Sequence, residues 1–461
     1  MHRARLPMAA AATAAAAAAV MAGIALLPAG PVGADLGASE WKAIEERASK
    51  AVQQGDSKAA AAAVRDAARD LSPRAARLIV AVVSRMVEQN EVYEAGCEAA
   101  DALGGSDKAF TELVRQGKGT KDPKVRIWLI DALKKRAERG APRIAELLDD
   151  KEDKVQLAAV RALVDLATAE GTDALIALME KLDKKGPGAQ GVVYGDLRNG
   201  LARILGAKLD SGFEFRSYFD ARRGEFVNGK GLVKAGEGTG GARGGGGQEV
   251  GSVTLFGQEI RCKNVVIILD RSGSMERADP YPPGSQAGTS ARGGPDTGDG
   301  TNDPERKRIA RAKKELIKVC EELAKVKAKV NIVVYSSDVE FWRPEGVHDL
   351  GGDALKSVKD FISKLEADGV TATDTALLYA FEKVPQADCF YLISDGFATH
   401  DGQSKVPTPR ILAAVAEANR FKKVQINCFG FIVRGQTGDQ ADPELMQALA
   451  AQAGGTYSEI E

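Results

Sequence analysis

Val265-Val266-Ile267-Ile268-Leu269-Asp270-Arg271-Ser272-Gly273-Ser274-Met275 decides the fold of this chain. The five apolar residues have no polar alternation, and the run is too short for an ordinary helix. It reads as a parallel strand buried on both faces, ending on a carboxylate. Working outward, the pattern predicts a helix over 306–325, a strand over 330–335, and a short antiparallel strand over 339–342 after the Ser336-Ser337-Asp338 turn. Helices follow over 354–366 and 375–383, then a strand over 389–393 ending in Ser394-Asp395-Gly396. A helix over 409–421, a strand over 424–433, a helix over 443–453 and a last strand over 456–460 complete the chain. Strands alternating with helices predict an α/β fold, a doubly wound, mostly parallel sheet covered on both faces. In such sheets ligands sit at the carboxyl ends of the strands.

The polar residues at those ends carry the chemistry. Asp270, Ser272 and Ser274 share one loop, Thr371 precedes a helix, and Asp395 follows a later strand. The five offer two carboxylates and three hydroxyls, with no His or Cys. An all-oxygen set suits a hard divalent cation, Mg²⁺ best, with Mn²⁺ or Ca²⁺ as alternatives. Only two of the ligands are charged, so a bound cation stays electrophilic enough to accept an outside carboxylate.

These residues resemble the von Willebrand factor type A (VWA) domain and its metal-ion-dependent adhesion site: Asp-x-Ser-x-Ser, then a distant Thr, then a distant Asp. The resemblance spans about residues 263–461, places the domain over 260–461 and implies a Rossmann-like fold. It implies that Asp270, Ser272, Ser274 and Thr371 lie at or near the metal and that Asp395 acts through water. The sixth coordination position then belongs to an Asp or Glu of a protein partner. One departure is an insertion over 276–303, rich in Gly, Pro, Ser and Thr, which carries Glu276, Asp279, Asp296, Asp299 and Asp303. It reads as a tolerated loop, as an added contact surface, or as a lid whose acid competes for the metal. Asp374, His400 and Asp401 lie in loops on the same side, where they either tune partner choice or are simply solvated.

Enzyme readings fare worse. An aspartyl-phosphate phosphatase needs a second acid two residues after its nucleophilic Asp, and Ser272 stands there instead. Ser272 is not in a Gly-x-Ser-x-Gly elbow, and no His is placed to activate it. The expected function is non-enzymatic protein binding. A metal-dependent hydrolase using Asp270 and a structural scaffold are the alternatives.

The N-terminal half has a different grammar. Residues 39–223 are dominated by helix formers, with breaks at Gly55-Asp56, Ser72-Pro73, Gly104-Gly105, Asp122-Pro123 and Gly140-Ala141-Pro142. Ala102-Leu103, Ala132-Leu133 and Ala162-Leu163 recur every 30 residues. Paired helices with such a period predict an all-α solenoid that serves as a binding scaffold, and they resemble HEAT-like repeats over residues 56–206. A non-repetitive helical bundle is the alternative. Phe213, Phe215, Tyr218 and Phe219 read either as a seal on the solenoid's open end or as a chance cluster. Gly117-Lys118-Gly119-Thr120 is not a phosphate loop, because Glu112 stands where the first Gly is needed and no strand precedes it. Residues 224–251 are Gly-rich and read as the linker between the two domains.

Residues 1–34 have the pattern of a secretory signal: Arg3 and Arg5, an Ala-rich apolar run from Met8 to Leu27, and small residues before a cut after Ala34. An uncleaved anchor is the competing reading. Cleavage implies an exported, periplasmic or extracellular protein with no membrane span. The 63 Lys+Arg against 64 Asp+Glu argue against electrostatic nucleic-acid binding. Cys97, Cys262, Cys320, Cys389 and Cys428 form no CxxC and read as small core residues. One disulfide is compatible with export, and spacing assigns no pair. Oligomeric state is not legible.

Overall fold

The computed structural model describes residues 36–186, 191–232, 253–279, 303–395, 398–431 and 442–460. Residues 1–35 (which include the segment read as a signal), most of the Gly-rich stretch, and Asp296 and Asp299 of the insertion lie outside them. The chain divides into two compact units. Of the described residues, 36–186 and 196–232 belong to the first, and 191–195 and 253–460 to the second. Among the described residues no helix is long and apolar enough to cross a membrane.

The first unit is helical and built in two rows. Helices Ser57–Ala67, Asn90–Leu103, Pro123–Lys134 and Asp153–Leu166 pack in succession, and so do Pro73–Met86 with Asp107–Lys118, and Ala137–Ala145 with Ala169–Lys184 and Gly212–Arg222. Local chemistry sets the helix starts. Asp56, Ser72, Ser106, Asp122 and Thr168 each accept a backbone N–H of the first turn through the side chain. Pro73 and Pro123 occupy the first turn, where no N–H is needed. Leu103, Leu133 and Leu163 are all buried near the C-terminal ends of their helices, which explains the 30-residue spacing.

Three expectations are corrected here. Gly140-Ala141-Pro142 is no break but lies inside helix Ala137–Ala145. Gly140 passes so close to the preceding helix that a Cβ would sit 2.1 Å from the Leu133 carbonyl oxygen, and buried Ala141 and Ile144 anchor the turn, so packing overrides propensity. Residues 226–232 are not linker: Phe226–Val227 pairs with Gly231–Leu232 as a small antiparallel hairpin. It is tied to the helices by the Gly229 N–H to the Ala167 carbonyl at 3.0 Å, and Gly231 (φ 74°) lies against the Ile204 carbonyl. The aromatic cluster is split, with Phe215 and Phe219 fully buried and Phe213 75% exposed.

The second unit is the expected sheet. Its seven strands are β1 Asn264–Asp270, β2 Lys329–Tyr335, β3 Val339–Phe341, β4 His348–Asp349, β5 Cys389–Ser394, β6 Gln425–Phe431 and β7 Tyr457–Ile460. The order is β7-β6-β5-β1-β2-β3, with β4 also pairing β2. β1 is central, parallel to both β2 (Asp270 beside Tyr335) and β5 (Leu269 beside Ile393). Only β3 and β4 run antiparallel. Alternation along β1 sends Val265, Ile267 and Leu269 into one core, with Leu316 and Val319 of helix Arg308–Lys325. Val266 and Ile268 enter the other, with Leu377 and Phe381 of helix Thr373–Lys383. Each such fully buried side chain is worth about 1.5–3 kcal/mol, which fixes the register that delivers Asp270 to the carboxyl end of the sheet.

Cys262 and Cys389 form a disulfide, Cα atoms 6.1 Å apart, at the end of β1 and β5 opposite Asp270. Cys97, Cys320 and Cys428 are buried thiols, as core residues should be. Cys262 and Cys389 are also buried in the core, so the core reading stands for all five, and the disulfide left open by the sequence falls on this pair. Strand adjacency, not sequence spacing, brings that pair together.

Candidate metal centre

The site forms where β1 and β5 end. Asp270 closes β1 and is completely buried. Its Oδ1 accepts the Ser272 N–H at 2.8 Å and its Oδ2 accepts the Ser394 hydroxyl at 2.5 Å. The chain then turns through Gly273–Glu276, a short 3₁₀ segment pinned by fully buried Met275. That turn stacks Ser272 Oγ and Ser274 Oγ 3.0 Å apart, and Ser274 donates to Asp395 Oδ1 at 2.7 Å. Asp395 follows β5 and is buried.

A second loop closes the site from the side. The Asp368 N–H donates to the Arg271 carbonyl at 2.7 Å, and the Gly273 N–H donates to the Gly369 carbonyl at 3.0 Å. Gly369 has φ 84°, and a Cβ there would lie 2.6 Å from Ser337 Oγ, so the tight approach requires glycine. This loop carries buried Thr371, whose carbonyl accepts the Thr399 N–H at 2.9 Å. The structure thus joins Asp270, Ser272, Ser274 and Asp395 through one hydrogen-bonded chain of neighbours. Thr371 is brought alongside by backbone contacts and takes no part in that chain.

The electrostatics are asymmetric. Burial, and then the nearby negative charge of Asp395, raise the Asp270 carboxyl to about 7. Asp395 has a resident cation instead: Arg308 Nη1 donates to its Oδ2 at 2.7 Å, both side chains being essentially inaccessible. Arg308 Nε also donates to Asp279 Oδ1 at 2.7 Å. Burial works against the guanidinium, but its hydrogen bonds to Asp395 and Asp279 outweigh that and raise its pKa.

Arg308, Ser394 and the pairing role of Asp279 were not legible from motif spacing. A sequence signal for Arg308 exists all the same: it stands on the stripe continued by Ala312, Leu316 and Val319, a charge on an otherwise apolar helix face. Of the insertion's acids, Glu276 is engaged with Lys307, Asp279 is buried between arginines, and Asp303 caps the Pro304–Arg306 turn. Asp401 accepts the Ser404 and Gln403 N–H groups, which hold its carboxyl below the usual range, and His400 contacts Asp374 at 3.1 Å. Among the described residues no group of three or more His, Cys, Asp or Glu side chains is arranged around a common point. The donor set fits a hard cation on its chemistry: two buried carboxylates and neighbouring hydroxyls, with Asp270 lacking a cationic partner among the described residues.

No curated protein matches the chain significantly. Among solved structures, similarity extends to a von Willebrand factor type A protein from Catenulispora acidiphila, 20% identical over 44% of this chain and 40% of that chain, with a TM-score of 0.29. A mutant of the PilB minor pilin from Streptococcus sanguinis is 15% identical over 42% of this chain and 56% of that chain, also with a TM-score of 0.29. The chain therefore spans less than two thirds of the length of either. Residues 265–397, from the second residue of β1 to just past β5, match the family model of the von Willebrand factor type A domain.

Proposed function

We propose that this is an exported, non-enzymatic binding protein whose VWA domain, over residues 260–461, uses Mg²⁺ to capture an acidic residue of a protein partner. Residues 39–223 serve as a HEAT-like second surface. The observation that supports this best is the pair of buried carboxylates, Asp270 and Asp395, at the carboxyl ends of β1 and β5 with Ser272 and Ser274 between them. Asp270, Ser272, Ser274 and Thr371 would hold the cation, and Asp395 would act one shell out. A bound divalent cation supplies a coordination position for one external carboxylate. The chain's own residues do the rest: Met275 and Gly369 fix the two loops, and Ser274 links the two carboxylates.

The test is capture of partners from an envelope extract in Mg²⁺ and in EDTA, with wild type and with the Ser272→Ala/Asp395→Ala variant. Loss of a charge-assisted contact costs about 1.5–3 kcal/mol, roughly ten- to a hundredfold in affinity. The reading expects EDTA and the variant to reduce capture equally. Capture by the variant in EDTA at wild-type strength would move the interaction to the helical unit.

A further inference from the structure

Tyr335 closes β2 beside Asp270 and is completely buried, in the core that also holds Val333, Leu377 and Leu392. A phenylalanine would fill the same space, so the hydroxyl has to be explained by what it bonds. It lies 3.2 Å from Thr373 Oγ1 and is also hydrogen-bonded to the Ser394 side chain. Ser394 in turn donates to Asp270 Oδ2 at 2.5 Å. A hydroxyl has one proton to give, and that of Ser394 goes to Asp270. Tyr335 therefore donates to Ser394 Oγ, and Thr373 donates to Tyr335. Burial pushes the Tyr335 phenol well above its ordinary value, so it stays a donor. The outcome is a one-way relay of buried groups, Thr373 to Tyr335 to Ser394 to Asp270. It runs from the first residue of helix Thr373–Lys383 through the ends of β2 and β5 to the end of β1. The backbone brings Thr371 into the same frame. The Ala372 N–H donates to the Ser336 carbonyl at 3.2 Å, and the Thr373 N–H donates to the Thr371 carbonyl at 3.0 Å.

We propose that Tyr335 is a positioning residue of this site: its hydroxyl holds Ser394 on Asp270 Oδ2 and, through Thr373, fixes the Thr371 loop relative to Asp270. The Ser272 N–H holds Oδ1, so the relay fixes the second oxygen and with it the plane of the carboxylate. Hydrogen bonds in series polarise one another, so removing one hydroxyl weakens those that follow. A carboxylate oriented in advance loses less freedom when a cation binds, so the relay raises cation affinity without touching the cation. This inference rests on the metal-binding reading above and adds to it a residue that the five-residue motif does not contain.

The experiment is calorimetric titration of the full chain with Mn²⁺, with melts in EDTA as the separate measure of stability. Wild type, Tyr335→Phe, Ser394→Ala and the double variant are compared. Tyr335→Phe keeps the ring and removes only the hydroxyl. It is expected to weaken Mn²⁺ binding by about three- to tenfold, the worth of one hydrogen bond. Because Tyr335 acts through Ser394, the phenylalanine is expected to change nothing further once Ser394→Ala is in place. A lower melting temperature with Mn²⁺ affinity intact overturns the inference, because the hydroxyl would then serve the fold alone. Losses from the two substitutions that add in full also overturn it, because Tyr335 would then act by another route. Should Tyr335→Phe not fold, Thr373→Val makes the same test from the far end of the relay. Weaker Mn²⁺ binding that disappears as an effect in Ser394→Ala supports the inference, and wild-type affinity overturns it. Wild type that binds no Mn²⁺ removes the metal-binding reading and the inference with it, a failure distinguishable from the others.

Discussion

Asp270 is where burial and charge oppose each other most sharply. Its carboxyl is raised to about 7 by burial and by Asp395, against an ordinary value near 3.8. A carboxyl raised in the folded state favours folding fully below the unfolded value, and that contribution is lost as pH climbs towards the folded one. Metal-free protein should therefore lose stability between about pH 4 and pH 7 on account of this residue. Calorimetric melts in EDTA across that range should show Asp270→Asn flattening the decline, so that the variant gains on wild type as pH rises. A variant that gains nothing on wild type across that range would mean that the ionised carboxylate is compensated in the absence of metal.

Loops and strands decide whether such residues meet. Gly369 holds its loop against Arg271 and Gly273 with a positive φ that a side chain would strain. Gly369→Ala should cost about 1–3 kcal/mol in a denaturant melt and weaken cation binding by displacing Thr371. Unchanged cation affinity would detach that loop from the site. At the other end of the sheet, the Cys262–Cys389 bridge spans 127 residues of sequence. Chain-entropy reasoning gives it about 4–5 kcal/mol, so reduction should lower the melting temperature while leaving the affinity of the still-folded protein for cation unchanged.

The same elements show what the sequence makes legible. β1 is legible because five apolar residues before an aspartate have no competing reading, and the five motif residues follow from loop positions relative to strands. Arg308 and Asp279 were missed because their pairing depends on long side chains meeting across 29 residues of sequence, with an insertion between. The disulfide was not assignable because it needs β1 beside β5, a fact of sheet order. The Gly140-Ala141-Pro142 break failed because local propensity lost to packing against Leu133.

At the scale of the whole molecule, described residues 36–186 and 196–232 belong to one compact unit and 191–195 and 253–460 to the other, and the sequence from 233 to 251 is Gly-rich with almost no apolar anchors. Limited proteolysis should cut first within residues 233–251, beyond the hairpin that ends the helical unit, and release two fragments that melt independently. First cleavage among the helices would contradict that division. The helical unit's exposed ion pairs between successive helices, such as Arg65–Glu98 and Lys134–Asp165, are each worth at most about 1 kcal/mol, so removing one should leave its melt nearly unchanged. The proposed metal-dependent capture, by contrast, would hang on one buried site. Titration of the full chain with Mg²⁺ or Mn²⁺, followed by calorimetry, tests it most directly. The predicted result is saturation near one equivalent by wild type and no binding by Asp270→Ala. Equal binding by the two proteins, or none by wild type, would contradict the proposed metal site.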